Sequence, residues 1–374
     1  MKKSFLGNIR QYTMLIALVA IWLIFSFLTK GVFISPRNLS NLFLQTAAVA
    51  IIAIGMTLII VTRNIDLSVG SIAAFAGAVA AFFQVQMGWP TSTAIAMALL
   101  AGLLVGAWHG FWIAYRLVPA FIVTLSSMMI FRGAVLGITK GATIAPLSDT
   151  FKAIGQNYVS HDVSIAVGVL SIGLFLLFAI NKRRQRMKYG FNVSSLLGFL
   201  VKVILVSAAV AAFFTILVIN RGVPYAVLLM LILAVIFSFI AQNTVFGRQL
   251  YAIGGNPDAA SLSGVNIQKR VMWLYMIFGV LTAIGGLVFT ARLNAATTSA
   301  GQGMELDVIS ATVIGGTSLM GGEGTIFGSV IGALIMASLD NGMSLMDTNI
   351  TYQYVIKGLI LLLAVWVDIA TRRK

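Results

Sequence analysis

Residues 248–270, RQLYAIGGNPDAASLSGVNIQKR, form the longest polar stretch between two strongly apolar runs, at 223–241 and 271–291. Two glycines in this stretch precede Asn256, a good N-cap residue, and Pro257, which suits the first helical position. They predict a short helix over 256–270 that ends at two basic residues. The residues expected to shape this helix and its contacts are Asn256, Pro257, Asp258, Leu262, Val265, Lys269 and Arg270.

The pattern of this stretch alone supports two interpretations equally. One is an ordinary helix at the membrane interface. The other is a docking element for a cytoplasmic partner, because a capped helix between two membrane spans presents an ordered surface.

Composition defines the broad class of the protein. The chain has 374 residues, of which 59% are hydrophobic and only 9% are charged, whereas soluble globular chains carry about 25% charged residues. These values predict an all-α polytopic membrane protein. The first apolar run, 12–28, ends without a small-residue cleavage site, so we interpret it as an uncleaved first span. The sequence contains no cysteine, which excludes disulfides and thiolate chemistry.

About twelve apolar segments approach the length of about 20 residues that crosses a bilayer. If the N-terminus is cytoplasmic, alternation places 17 of the 25 basic residues in or next to cytoplasmic loops. This bias predicts that both termini and the loop 243–270 are cytoplasmic, and it explains the charge of +15 without a nucleic-acid partner. The segments are 12–29, 40–62, 68–87, 92–115, 119–138, 163–180, 195–219, 223–241, 271–292, 306–320, 324–341 and 351–369.

Glycines interrupt the pattern near its end. Segments 306–320 and 324–341 are separated by GGTSLMGGEG at 315–324, which disfavours a continuous helix. Two interpretations stay open: two full spans, or two half-helices that enter and leave from one side. Non-helical backbone at membrane depth must be buried in protein or line a water-filled cavity, so this region is a candidate translocation path.

Glycines also recur at every fourth residue in three places, starting at Gly102, Gly133 and Gly324. This spacing lets two helix backbones approach closely. We expect it to serve packing within the subunit rather than contacts between subunits.

Catalytic motifs are missing from the sequence. It has no GxxxxGK[ST] phosphate-binding loop, no GxSxG and no HExxH. The two histidines, His109 and His161, have no cysteine to complete a familiar metal site. We therefore expect no catalytic residue, no metal site and no cofactor held by this chain, and we interpret His109 as a packing residue.

Polar residues beside the breaks mark the candidate path. Carboxylates deep in lipid are costly and usually functional, but those near the breaks, Asp340 included, lie at segment ends. Helix capping by Asp66, Glu305 or Asp307 next to interfacial water explains them equally well. Arg132 is expected within the membrane, paired or facing a polar cavity. The predicted path residues are Asp66, Asn294, Thr297, Thr298, Thr312, Thr317 and Ser318.

Three long motifs carry a family resemblance: GMTLIIVTRNIDLSVGSIAAFAGAVAA (55–81), GRQLYAIGGNPDAASLSGVNIQKR (247–270) and ELDVISATVIGGTSLMGGEGTIFGSVIGALI (305–335). They resemble the permease subunits of bacterial ABC importers for ribose, xylose, galactosides and arabinose, in matching order over most of the chain. The ribose-type permease lacks two spans that this chain has within 163–219. That extra pair resembles the xylose or multiple-sugar branch.

The resemblance implies a single transmembrane permease domain, 1–374, with a ten-span core and a two-span insertion at 163–219. It further implies a homodimer in the bacterial inner membrane and an external sugar-binding protein. A separate ATPase subunit would bind ATP and Mg²⁺ and would dock on a coupling helix in the loop 243–270.

Two alternatives remain at this stage. An ABC permease of this type could carry a nucleoside or a furanosyl signal molecule instead of xylose. An ion-coupled secondary sugar transporter, a different class, would need an ionisable group that alternates its protonation inside the membrane.

Overall fold

The computed structural model describes residues 2–193 and 195–372. Within them the chain forms fifteen α-helices and no β-strand, and π-helical turns at Phe82–Gln86 and Phe111–Tyr115 extend α3 and α4. The helices are α1 (Lys2–Leu28), α2 (Pro36–Val61), α3 (Val69–Ala81), α4 (Thr91–Gly110), α5 (Ala120–Thr139), α6 (Asp149–Gln156), α7 (His161–Lys188), α8 (Leu196–Asn220), α9 (Tyr225–Asn243), α10 (Val245–Gly255), α11 (Pro257–Leu262), α12 (Ile267–Leu293), α13 (Met304–Ile314), α14 (Ile326–Leu345) and α15 (Ile350–Arg372).

Ten of the described helices are long and apolar enough to cross a membrane, and Met14–Leu28 of α1 adds a shorter apolar helix. Each of the twelve segments predicted from the sequence overlaps one helix, so the all-α polytopic fold is confirmed. Helix α13 is the exception in length. Its 11 residues extend about 16 Å, roughly half the thickness of the hydrocarbon core.

Helix α2 lies at the centre of the bundle, and nearly every residue from Leu42 to Val61 is buried. It packs against α12 and α14. Close approach of α4 to α12 depends on glycine, because a Cβ at Gly106 would lie 2.2 Å from the carbonyl oxygen of Tyr275. No side chain fits in that gap.

The three glycine stripes have different uses. A Cβ at Gly332 of α14 would lie 1.9 Å from the carbonyl oxygen of Ala311, whereas a Cβ at Gly133 or Gly137 of α5 would meet nothing within 4 Å. Packing within the subunit is therefore confirmed for the stripes of α4 and α14. It is wrong for α5, whose glycines face away from the rest of the chain.

Contacts between loops define the two ends of the bundle. At one end the N–H of Gly322 donates to the carbonyl oxygen of Val61 (2.9 Å). At the opposite end Ile144 and Ala296 pair through their backbones. We call the first the basic end because the loops and helix ends there carry Arg63, Arg116, Lys182, Arg186, Arg248, Lys269 and Arg270.

The extra pair, α7 and α8, lies at the periphery. The two helices pack on each other and reach the centre through α8, where the rings of Phe213 and Phe43 meet edge to face with centroids 4.7 Å apart. At the opposite end Ser164 accepts the N–H of Val223 at 2.9 Å. Most of both helices remains exposed.

Candidate functional site

The segment 294–303 runs back into the bundle as non-helical backbone. Gly301 reaches the backbone of Gly70, while Gly286 of α12 packs on Ala73, about one turn further along α3. Gly286 lies seven residues before the end of α12, a distance of about 10 Å. At Gly301 the chain has therefore returned about 10 Å into the bundle from the end of α12.

Helix α13 starts from this depth, after Gly303 in the left-handed conformation (φ 80°). Arg132 donates from Nη1 to the carbonyl oxygen of Ala300 (2.7 Å), so the expected pairing of this arginine is confirmed. From α13 the chain reaches the loop 315–325 at the basic end, and α14 returns from there. The region crosses the bundle twice, with 294–314 as one crossing that consists of turns up to Gly303 and of helix from Met304. The re-entrant interpretation is wrong.

Three ionisable side chains meet inside the bundle, one each from α13, α14 and α15. Lys357 Nζ lies 3.0 Å from Asp307 Oδ1 and 2.8 Å from Asp340 Oδ2. One ammonium group thus serves two carboxylates, and charges held in the membrane persist only when they are paired.

The expected position of Asp307, at a helix start next to interfacial water, is wrong in depth. Asp307 lies in the first turn of α13, and the non-helical segment 294–303 carries that turn into the bundle. Helix α14 runs on to Leu345, more than a turn beyond Asp340, which leaves this carboxylate inside the bundle.

A cavity of about 220 Å³ opens beside this cluster, between α2, α12, α13 and α14. Asp307 and Asp340 both line it, and Asp340 Oδ1 is buried without a hydrogen-bond partner among the described residues. Amide, guanidinium and carboxylate groups that converge on one cavity suit a ligand with several hydroxyl groups. The other polar lining residues are Gln45, Arg292, Ser299 and Gln302.

A second buried polar cluster lies nearer the basic end. Asp66, in the loop between α2 and α3, is fully buried, and its Oδ1 accepts the N–H and the hydroxyl of Ser68 at 2.8 and 2.5 Å. Asp66 Oδ2 lies 3.3 Å from His109 Nδ1, and the His109 ring packs edge-on against Tyr275. His109 is buried, and its contact with Asp66 ties the loop to α4.

Helix α10 is clamped to the basic end. Arg63 donates from Nε to the carbonyl oxygen of Gly254 (2.6 Å) and from Nη2 to that of Gly255 (2.7 Å), a favourable place for a cation because both carbonyls end a helix. Tyr251 donates its hydroxyl to the carbonyl oxygen of Gly324 (2.8 Å). Burial raises the pKa of Tyr251 above its ordinary value, which keeps this donor protonated.

Helix α11 begins as the sequence predicts. Asn256 is its N-cap and accepts the N–H of Ala259 at 3.0 Å, and Pro257 occupies the first helical position. The helix ends much earlier than predicted, at Leu262. Gly264 (φ 82°) then closes a Schellman motif, in which its N–H and that of the following residue donate back to α11.

This early end changes the surface that the predicted residues form. Leu262 is 91% exposed, but Val265 lies beyond the helix and lines a cavity of about 560 Å³ at the basic end. Lys269 and Arg270 belong to the first turn of α12, not to the end of α11. The predicted helix over 256–270 is therefore too long, and Leu262 and Val265 share no helix face, because the left-handed Gly264 between them ends the helix.

The structure does not bring the seven predicted path residues together. Asn294 accepts the N–H of Leu147 (2.9 Å) at the opposite end, and Thr297 and Thr298 are half-buried just beyond it. None of the seven lines the 220 Å³ cavity. Those that are fully buried are Asp66, Thr312, Thr317 and Ser318.

The residues that do line this cavity were missed. A signal for them exists in the sequence, because Lys357 lies well inside the apolar segment 351–369, where a lone cation needs a partner. Asp307 and Asp340 supply it. Gln45 and Gln302 carry no comparable signal.

A bundle of ten membrane-length helices, crossed by a broken segment beside a polar cavity, is the architecture of a membrane permease. Comparison with known proteins agrees. The chain belongs to the family described as branched-chain amino acid transport system / permease component, whose model matches residues 38–365. No solved structure matches the chain.

Individual relatives are similar over nearly their whole length. The xylose transport system permease protein of Haemophilus influenzae is 46% identical over 367 residues, which cover 98% of each chain. The xylose transport system permease protein of Escherichia coli K12 is 45% identical over 98% of this chain and 93% of its own. The ribose import permease protein of Haemophilus influenzae is more distant, at 34% identity over 97% of this chain and 94% of its own.

Proposed function

We propose that this chain is the transmembrane permease subunit of an ATP-driven ABC importer that carries a monosaccharide across the bacterial inner membrane. Xylose is the leading candidate for this substrate. The observation that supports xylose as the substrate is the 46% identity to a xylose permease over 98% of both chains. The ribose permeases are clearly further away, at 34–36%.

ATP-driven transport by this chain depends on its partners. A separate ATPase subunit binds ATP and Mg²⁺ and docks at the basic end, an external sugar-binding protein delivers substrate at the opposite end, and a second copy of the permease completes the pore. Both termini and the loop 243–270 are cytoplasmic in this arrangement, because Lys and Arg accumulate on the cytoplasmic side of membrane proteins.

The docking surface centres on α11, with Asn256, Pro257 and Asp258 shaping its start. Leu262 is the anchor we propose, because a leucine that is 91% exposed next to cytoplasmic water is stabilised by burial in a partner. Arg63 joins this surface to α2 through the end of α10. A push on α11 therefore reaches the centre of the bundle through rigid contacts. Val265, Lys269 and Arg270 form the flank of this surface.

Leu262→Asp tests the docking proposal. We expect a normally inserted permease that loses the ATPase on purification, because truncation of a hot-spot anchor costs about 2 kcal/mol or more and a buried unpaired charge costs more still. ATP-dependent xylose uptake in proteoliposomes that also contain the ATPase and the binding protein should fall in parallel.

Ser263→Asp is the matched control, since it adds the same charge one residue along and leaves Leu262 in place. If both variants keep the ATPase and full uptake, the docking surface lies elsewhere. Uptake driven by an ion gradient, by the permease alone and without ATP, would instead support the secondary-transporter alternative.

The path runs through the 220 Å³ cavity in our proposal, with Gln302, Asp307 and Asp340 as polar groups for sugar hydroxyls. Thr297 and Thr298 lie on its approach from the opposite end. Asp66, Asn294, Thr312, Thr317 and Ser318 support the backbone of the broken segments and come into contact with substrate only if the cycle exposes them.

Cysteine substitution tests the path, because the chain has no cysteine of its own. In the resting state, a water-soluble thiol reagent should modify Gln302→Cys and Ser299→Cys, and external xylose-loaded binding protein should slow the reaction. Thr312→Cys and Ala53→Cys, both fully buried, should stay unmodified. Equal reactivity at all four positions, or none at any, would contradict the proposed path.

A further inference from the structure

We propose that the basic-end pocket between α7 and α8 binds the phosphate headgroup of an anionic phospholipid. The pocket encloses about 260 Å³ where α7 ends and α8 begins. Four of its lining residues are cationic and three are aromatic: Lys182, Arg183, Arg186, Lys202, Phe175, Phe178 and Phe199. The translocation path proposed above uses none of them.

Charge in this part of the chain has one sign. The sequence contains no acidic residue between Asp162 and Asp258. None of the ion pairs among the described residues involves Lys182, Arg186 or Lys202. Like charges that converge on one pocket repel each other, so an anion bound there relieves this repulsion.

The depth of Lys202 favours a ligand that belongs to the membrane. Lys202 is the seventh residue of α8, about 9 Å from its start, and its neighbours Val201 and Val203 are apolar. A cation at this depth in an apolar span needs a counter-charge at the same level. The headgroup layer of the bilayer supplies phosphate at that level.

The walls of the pocket suit a phosphate that carries acyl chains. Phe175, Phe178 and Val203 line it as well, and Leu177 and Ile204 add exposed apolar surface along α7 and α8. A free phosphate would use the cations and leave this apolar surface unused. Basic pockets between spans on the cytoplasmic side are known to hold anionic lipid headgroups.

The aromatic rings hold two of the cations in place. Lys182 Nζ lies 5.9 Å from the centroid of the Phe178 ring, and the Arg183 guanidinium carbon lies 4.8 Å from that of Phe199. Cation–π contacts of this kind orient a cation without neutralising it. Lys182 therefore keeps its charge for a ligand.

The test compares two double variants of the full chain, purified in detergent, that remove the same charge from the same loop. Lys182→Gln with Arg186→Gln removes two pocket cations. Arg184→Gln with Lys188→Gln removes two cations that do not line the pocket. Phosphatidylglycerol, phosphatidylcholine and inorganic phosphate are titrated against each protein, and bound lipid is measured by native mass spectrometry together with the shift in Tm.

We expect phosphatidylglycerol, and not phosphatidylcholine or inorganic phosphate, to bind the wild-type chain and raise its Tm. Each Lys or Arg near an anionic lipid surface contributes about 1 kcal/mol, so the pocket variant should bind phosphatidylglycerol roughly 30-fold more weakly, with the control variant unchanged. Equal weakening in both variants would mean that general surface charge, and not the pocket, binds the lipid. No weakening in either, or inorganic phosphate binding as well as the lipid, would also overturn the proposal.

Discussion

The centre and the periphery of this bundle are assembled by different contacts. At the centre, α4 and α12 meet backbone to backbone at Gly106, with no space for a single added carbon atom. At the periphery, α7 and α8 reach α2 through side chains such as Phe213 and leave most of their surface exposed. The difference indicates which parts must keep one geometry during transport and which can vary without altering the path.

Two glycine stripes with the same spacing show this most directly. Those of α4 and α5 are indistinguishable as sequence patterns, yet a Cβ at Gly106 meets a carbonyl oxygen at 2.2 Å and a Cβ at Gly137 meets nothing within 4 Å. Spacing therefore indicates that a helix can be approached closely. It does not identify the partner, and for α5 we propose that the partner is the second copy of the permease.

The largest effect is expected from Gly106→Leu. The side chain must displace the backbone of α12, and overpacking of this kind commonly costs about 1–3 kcal/mol or more. Because backbone atoms cannot rotate aside, we expect the upper end of that range. Size-exclusion chromatography in detergent should show little monodisperse protein, with a Tm well below that of the wild type.

Gly137→Leu is the matched variant on α5. The monomer should keep its Tm, since the new side chain enters open space. A fall in the dimer fraction would identify α5 as the subunit interface, whereas a loss of folding as severe as that of Gly106→Leu would contradict the distinction between the two stripes.

A smaller effect is expected when the extra pair is removed. Val159 and Val223 lie on paired backbone segments, with the N–H of the first donating to the carbonyl of the second at 2.8 Å. A short polar linker can therefore replace 160–221 without moving the ends of the chain. We expect a folded permease that binds its ATPase and keeps reduced xylose uptake, because the proposed path and docking surface lie outside this insertion.

Insertion of the same linker between Tyr189 and Gly190, which leaves both helices in place, controls for the linker itself. A deletion variant that inserts, binds the ATPase and transports nothing would show that the pair takes part in transport.

The sequence was sufficient for the fold wherever the signal was local. Apolar length identified the spans, and Asn256 with Pro257 identified the start of α11. The sequence was insufficient to predict how deep in the bundle a residue lies. Asp307 was placed at a segment end because hydropathy does not show that the non-helical segment 294–303 carries α13 inward. Asp340 was placed at one because hydropathy does not show that α14 runs on to Leu345. The cavity joins residues from four helices, and no single stretch contains its pattern.

The smallest effect is expected from Asn256→Ala, at the exposed start of α11. The substitution removes the side-chain oxygen that accepts the N–H of Ala259, which costs about 1 kcal/mol of local helix stability. Leu262 stays in place, so the loss reaches docking only through fraying of α11. Affinity for the ATPase, measured by titration with the purified subunit, should fall about fivefold at most.

Asn266→Ala removes an equivalent cap, which accepts the N–H of Lys269 at 2.9 Å, but from a helix of 27 residues held by the centre of the bundle. Packing supports that helix without its cap, so ATPase affinity should not change. An equal loss in both variants would mean that α12, not α11, presents the docking surface, and no loss in either would mean that α11 docks without being ordered in advance.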